Sequence, residues 1–65
     1  MSAFAVDTER LVRQKWRLLN PTMNERARRL WAGAEADEIG YGGLAVVVRA
    51  TEMAISTVRK GRGEA

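Results

Sequence analysis

A chain of 65 residues is enough for one domain but lies near the lower limit at which a single hydrophobic core holds itself together, so partner contacts are expected to add to its stability. Hydrophobic residues at 46% and charged residues at 29% fit a folded globular chain, and the absence of cysteine and histidine excludes disulfides, thiolate metal sites and imidazole catalysis. The net charge of +3 suits a polyanionic partner, and seven of the basic residues lie between Arg10 and Arg29 with Glu25 as the only acid among them.

Nine of the eleven basic residues are arginine, which forks onto phosphates and base edges better than lysine does. Acids gather instead at Glu35, Asp37 and Glu38. The stretch from Ala54 to Gly63 carries Arg59, Lys60 and Arg62 with no acid. No apolar run approaches the ~20 residues of a membrane span, and the N-terminus lacks the layout of a signal peptide, so a cytoplasmic protein without membrane contact is expected.

The first helix is expected over residues 7–19. Asp7 is a good N-cap, and Leu11, Val12, Trp16, Leu18 and Leu19 fall on one side of a 3.6-residue period. Arg10, Arg13, Gln14 and Arg17 fall on the other. Asn20-Pro21 stops this helix, because the residue before a proline is pushed out of the helical region. Thr22 and Glu25 have capping-box spacing and open a second helix over residues 22–39. Its stripe is Met23, Ala27, Leu30, Trp31 and Ala34, and Gly40 can take the left-handed conformation that ends it.

Tyr41-Gly42-Gly43 reads as a tight connection, with the tyrosine ring closing the edge of the core. A short helix follows over 44–50. Its three consecutive valines, Val46 to Val48, are read as a buried helical turn and not as a strand. The last helix spans 54–60, with Gly61 and Gly63 fraying its end. The expected fold is therefore all-α: one small four-helix domain, without repeats or long linkers, containing a helix-turn-helix. Trp16, Leu30, Trp31 and Val58 should be largely inaccessible.

Two short helices joined by a turn, the second basic at its exposed positions, can lay one helix in the major groove while the other braces across it. Leu44, Val47, Met53 and Val58 have the spacing of a shared seam. The residues left to face DNA are Ala54, Ile55, Ser56, Arg59, Lys60 and Arg62, with Arg49 on the bracing helix. Arginine and lysine bond guanine edges or phosphates, serine bonds either, and alanine or isoleucine can touch a thymine methyl. For Arg49 the competing reading is a surface ion pair with Glu52, three residues on.

The segment Asn24-Glu25-Arg26-Ala27-Arg28-Arg29-Leu30-Trp31-Ala32-Gly33-Ala34-Glu35-Ala36, followed by Gly40-Tyr41-Gly42-Gly43, resembles the N-terminal region of ISAzo-type insertion-sequence transposases. Val48-Arg49-Ala50-Thr51 and Ser56-Thr57-Val58-Arg59-Lys60-Gly61 are similar to the helix-turn-helix that follows in that family. The resemblance implies recognition of double-stranded DNA at the ends of a mobile element, without the acidic-triad nuclease domain of a complete transposase. Three places depart from the family pattern: Glu52 stands where glycine is expected, Val48 where alanine is usual, and Ala54-Ile55 where serine and a polar residue open the last helix.

No catalytic residue, metal site, cofactor or small-molecule substrate is expected. Glu35, Asp37 and Glu38 are read as a solvated face, Trp16 and Trp31 as packing residues, and the Arg10, Arg13 and Arg17 stripe as solvated. The alternative to DNA binding is a helical interaction module, a homodimer formed through the first helix and the Val46 to Val48 region.

Overall fold

A computed structural model of the chain describes residues 3–64. They form α1 (Ala3–Leu19), a 3-10 turn (Asn20–Thr22), α2 (Glu25–Ile39), α3 (Gly43–Thr51) and α4 (Ile55–Glu64), with no strand among the described residues. The all-α expectation holds. α4 packs chiefly on α2, α1 on α3, and α2 also meets α3.

The helix starts differ from the expected ones for local reasons. α1 begins at Ala3, so Asp7 lies inside it as an exposed residue and caps nothing. Nothing between Ala3 and Val6 breaks a helix, and a good cap residue does not start one where the preceding residues already propagate it. At the second start the anticipated Thr22 and Glu25 box is absent. Pro21 sits in the 3-10 turn, the Thr22 hydroxyl donates to the Leu19 carbonyl at 2.7 Å, and the chain becomes extended at Met23. Asn24 takes the cap instead, its Oδ1 accepting from the Ala27 N–H at 2.8 Å. The Arg28 guanidinium donates to the Asn20 carbonyl at 3.1 Å and ties the first turns of α2 to the preceding bend.

The two glycines before α3 have separate tasks. Gly42 takes a left-handed φ of 81° and caps the helix, while Gly43 is its first residue, buried where a side chain would run into the Ala36 carbonyl and Ile39. Tyr41, just before them, is fully exposed and does not close the core edge as anticipated.

The core is made of small residues. Val12, Ala32, Ala36, Val46, Val47, Ala50 and Val58 are buried, with Trp31, Ile39, Leu44, Val48 and Met53 packed around them. Val58 and Val47 are buried as expected, whereas Trp16, Leu30 and Trp31 are only half-buried. The two indoles stack at 5.6 Å with an interplanar angle of 25°, and so shield each other at the rim. On α1, Leu11 and Leu18 point outward, and Leu18 is 75% exposed. On α2 the inward face is Ala32, Gly33 and Ala36, not the stripe through Ala34, which is exposed.

This choice of face follows from helix crossing. Gly33 and Gly61 lie where α2 and α4 meet backbone to backbone: a Cβ on Gly33 would run into Gly61 and the Arg62 nitrogen, and one on Gly61 would run into the Arg29 carbonyl. Gly61 therefore does not fray α4. It is a buried helical residue where the α4 and α2 backbones meet, and α4 continues to Glu64.

Candidate nucleic-acid interface

α3 and α4 are joined by Glu52, Met53 and Ala54. The Thr51 side chain organises this connection: its hydroxyl donates to the Val47 carbonyl at 2.7 Å and accepts from the Met53 N–H at 3.2 Å. Glu52 ends α3 in the left-handed region, φ 61° and ψ 16°, with its N–H on the Val48 carbonyl at 2.8 Å. Glutamate has taken the conformation that glycine adopts freely, and for an L residue that costs about 1–2 kcal/mol. Glu52→Gly is accordingly expected to raise stability by about 1 kcal/mol, a Tm gain of roughly 4–8 °C for a domain of this size. Thermal melting of the two proteins checks it, and an unchanged Tm would mean that the carboxylate offsets the strain.

Ala54 offers no side-chain acceptor, and its carbonyl opens α4 by accepting from the N–H groups of Thr57 at 3.0 Å and Val58 at 3.2 Å. From there the helix divides cleanly. Val58 and Gly61 are buried, while Ile55, Ser56, Arg59, Lys60 and Arg62 are exposed, as is Ala54 before them. Ser56 and Lys60 lie one turn apart, as do Ile55 and Arg59. Neither Arg59 nor Lys60 has an ion-pair or hydrogen-bond partner among the described residues. Arg62 differs from them, because its Nε donates to Asp37 at 2.8 Å. Only its remaining N–H groups are left for another anion.

Arg49 makes an ion pair, but its partner is Glu9 at 2.7 Å and not Glu52. Glu9 also holds Arg13 at 3.1 Å, and Arg13 reaches the Arg49 carbonyl at 3.4 Å. The carboxylate thus braces two guanidiniums from two helices. A cleft of about 380 Å³ opens beside them, walled by Arg13, Trp16, Arg17, Arg49, Thr51 and Glu52. Arg13 and Arg17, expected in a solvated stripe, line this cleft. The i, i+4 spacing of Glu9 and Arg13 was visible in the sequence, but the convergence on Arg49, forty residues from Glu9, was not.

Hydrogen bonding from Arg49, helped by its charge and that of Arg13, holds the Glu9 carboxyl below its ordinary value of 4.5. A carboxylate whose folded value is depressed contributes stability that is present above the unfolded value and is lost as pH falls through the folded one. Melting between pH 7 and pH 3 should therefore show the wild type losing stability below about pH 4.5 more steeply than Glu9→Gln does. Parallel curves would mean that the pair is worth nothing to the fold.

The acidic face is also organised. Glu35 accepts from Lys15 of α1 at 2.7 Å and Asp37 from Arg62 of α4, so two of the three acids anticipated as solvated clamp α2 to its neighbours. The described residues contain no group of three acidic, histidine or cysteine side chains placed to hold a metal ion, and none of their helices is long and apolar enough to cross a membrane. The dimer surface suggested by Val46 to Val48 is not available, since Val46 and Val47 are buried inside the chain and Val48 is half-buried. Comparison with protein-family models, curated proteins and solved structures finds no match to this chain.

Proposed function

We propose that this chain is a non-catalytic module that binds double-stranded DNA, with α3, the three-residue connection and α4 acting as a helix-turn-helix and α4 presented to the major groove. One observation carries the reading. α4 buries Val58 and Gly61 and leaves Arg59 and Lys60 exposed and without a partner among the described residues. Cations with no partner in the fold incur the least loss when they turn to a phosphate or a guanine edge. A helix of ten residues is about 15 Å long and 10–12 Å across, dimensions the ~12 Å major groove accepts.

Base preference on this reading comes from Ser56 with the Ala54-Ile55 edge, and phosphate contacts come from Arg49, Arg62 and the other flanking arginines. The resemblance to the end-recognition region of insertion-sequence transposases fits the same role at mobile-element DNA, in the cytoplasm of a cell that carries such elements. Strand cleavage is not part of the proposal. The chain has no histidine or cysteine, and its acids at Glu35 and Asp37 are engaged in ion pairs.

The test is a fluorescence-anisotropy titration of a labelled duplex between 50 and 200 mM salt. The affinity is expected to fall by several powers of ten per tenfold rise in salt, the signature of phosphate neutralisation. Absence of binding at 50 mM salt overturns the proposal. A second reading, an interaction module using α1, rests on Leu11 and Leu18 being exposed, and a stable oligomer without DNA binding selects it.

A further inference from the structure

We infer that the cleft between α1 and the end of α3 is a seat for one backbone phosphodiester of the DNA, and that it sets the register of α4 in the groove. The inference rests on the DNA-binding reading and adds a site to it. The cleft is bounded by Thr51 and Glu52, so it opens at the connection from which α4 starts. A phosphate held there lies beside the entry of the proposed recognition helix. Phosphate contacts of this kind carry no sequence information but fix where base-reading side chains fall.

The charges suit a monoanion. Arg13, Arg17 and Arg49 bring three positive charges to the walls, and Glu52 on the wall and Glu9 behind it remove two. One positive charge remains, the complement of a phosphodiester and not of a dianionic phosphate monoester. The guanidiniums are also unequal in freedom. Arg13 and Arg49 are braced by Glu9, and Arg13 by the Arg49 carbonyl as well, so little side-chain entropy is left for a ligand to remove from them. Arg17 is exposed and has no partner among the described residues, which leaves it able to close on the anion. Trp16, stacked on Trp31, also lines the cleft and adds an apolar residue beside the guanidiniums.

Glu52 marks the cleft as distinct from a general basic surface, because it opposes an anion there. Removing an arginine and removing this carboxylate should shift binding in opposite directions. The experiment is the same duplex titration with Arg17→Gln, Glu52→Gln and, as a control outside the cleft, Arg26→Gln, which deletes an arginine on α2 that is also exposed and has no partner among the described residues. Melting curves establish that each variant is folded.

Arg17→Gln is expected to weaken duplex binding roughly three- to tenfold and to reduce the salt slope by about one unit, and Glu52→Gln to tighten binding. Arg26→Gln should leave the slope near that of the wild type. At alkaline pH, where inorganic phosphate is chiefly the dianion, it should displace DNA no better than chloride of equal ionic strength does, since the seat is matched to a monoanionic diester. An unchanged slope in Arg17→Gln, an equal drop in Arg26→Gln, weaker binding by Glu52→Gln, or selective competition by inorganic phosphate each overturns the phosphodiester seat while the duplex-binding reading stands. Failure of the wild type to bind duplex overturns the reading itself.

Discussion

Gly61→Ala is expected to unfold the chain or to lower its melting temperature by more than 10 °C, while Gly63→Ala, two residues on in the same helix, is expected to raise it slightly. Helix propensity alone predicts the same sign for both, because alanine is favoured over glycine inside a helix by about 1 kcal/mol. Packing separates them. A Cβ on Gly61 would collide with the Arg29 carbonyl, whereas one on Gly63 meets nothing within 4 Å. The obstacle at Gly61 is backbone of a neighbouring helix, which cannot swing aside as a side chain would, so α4 must lift off α2. Overpacking of a well-filled site costs about 1–3 kcal/mol and more where nothing can relax. A domain this small holds only about 3–5 kcal/mol in reserve.

The reciprocal change, Gly33→Ala, meets the Gly61 and Arg62 backbone and should fail in the same way. Urea or thermal melting followed by circular dichroism gives the result directly. A Gly61→Ala protein that melts at or above the wild-type temperature would mean that α2 and α4 do not cross where these glycines meet.

That crossing also shows why the sequence was readable in some respects and opaque in others. Four helices and their breaks follow from local causes, the 3.6-residue period, Pro21, and the Gly40 to Gly43 run, and all four helices lie within a few residues of the expected spans. Caps were less legible, since Thr22 and Asn24 are both competent acceptors and only the turn imposed by Pro21 decides between them. The inward faces differ from the expected ones because large apolar residues do not mark this core. Where helices approach to backbone contact, the small residues Ala32, Gly33, Ala36 and Gly61 go inside, and bulk such as Trp16, Trp31 and Leu18 is displaced to the rim or to solvent. Close approach is a property of two segments at once, and neither segment states it alone.

The same holds for the candidate interface. Exposure of Ser56, Arg59 and Lys60 was deducible from the period of one helix. The ion pairs that occupy Arg49 and Arg62 join residues 40 and 25 positions apart and follow from packing. They split a set of basic residues that looked uniform into braced ones and free ones, and the free ones are where the strongest effect on binding should lie.

Replacing Arg59 and Lys60 together with alanine is therefore expected to abolish most of the duplex affinity while leaving the fold intact. Each of these side chains is exposed, and neither supports another element through an ion pair or hydrogen bond among the described residues. Alanine also favours the helix at least as well as the residues it replaces, so the melting temperature should change by only a degree or two. If both cations neutralise phosphates, the salt slope should fall by roughly two units, about 0.9 for each. If one of them reads a guanine edge instead, the slope falls by roughly one unit and discrimination between duplexes of different sequence relaxes as well. The two outcomes assign the residues their parts. Unchanged affinity with an unchanged slope would remove α4 from the interface, and a large drop in melting temperature would show the pair to be structural. The comparison with Arg17→Gln completes the argument, because a phosphate seat weakens binding to all sequences alike, whereas loss of a base contact on α4 weakens it most on the preferred sequence.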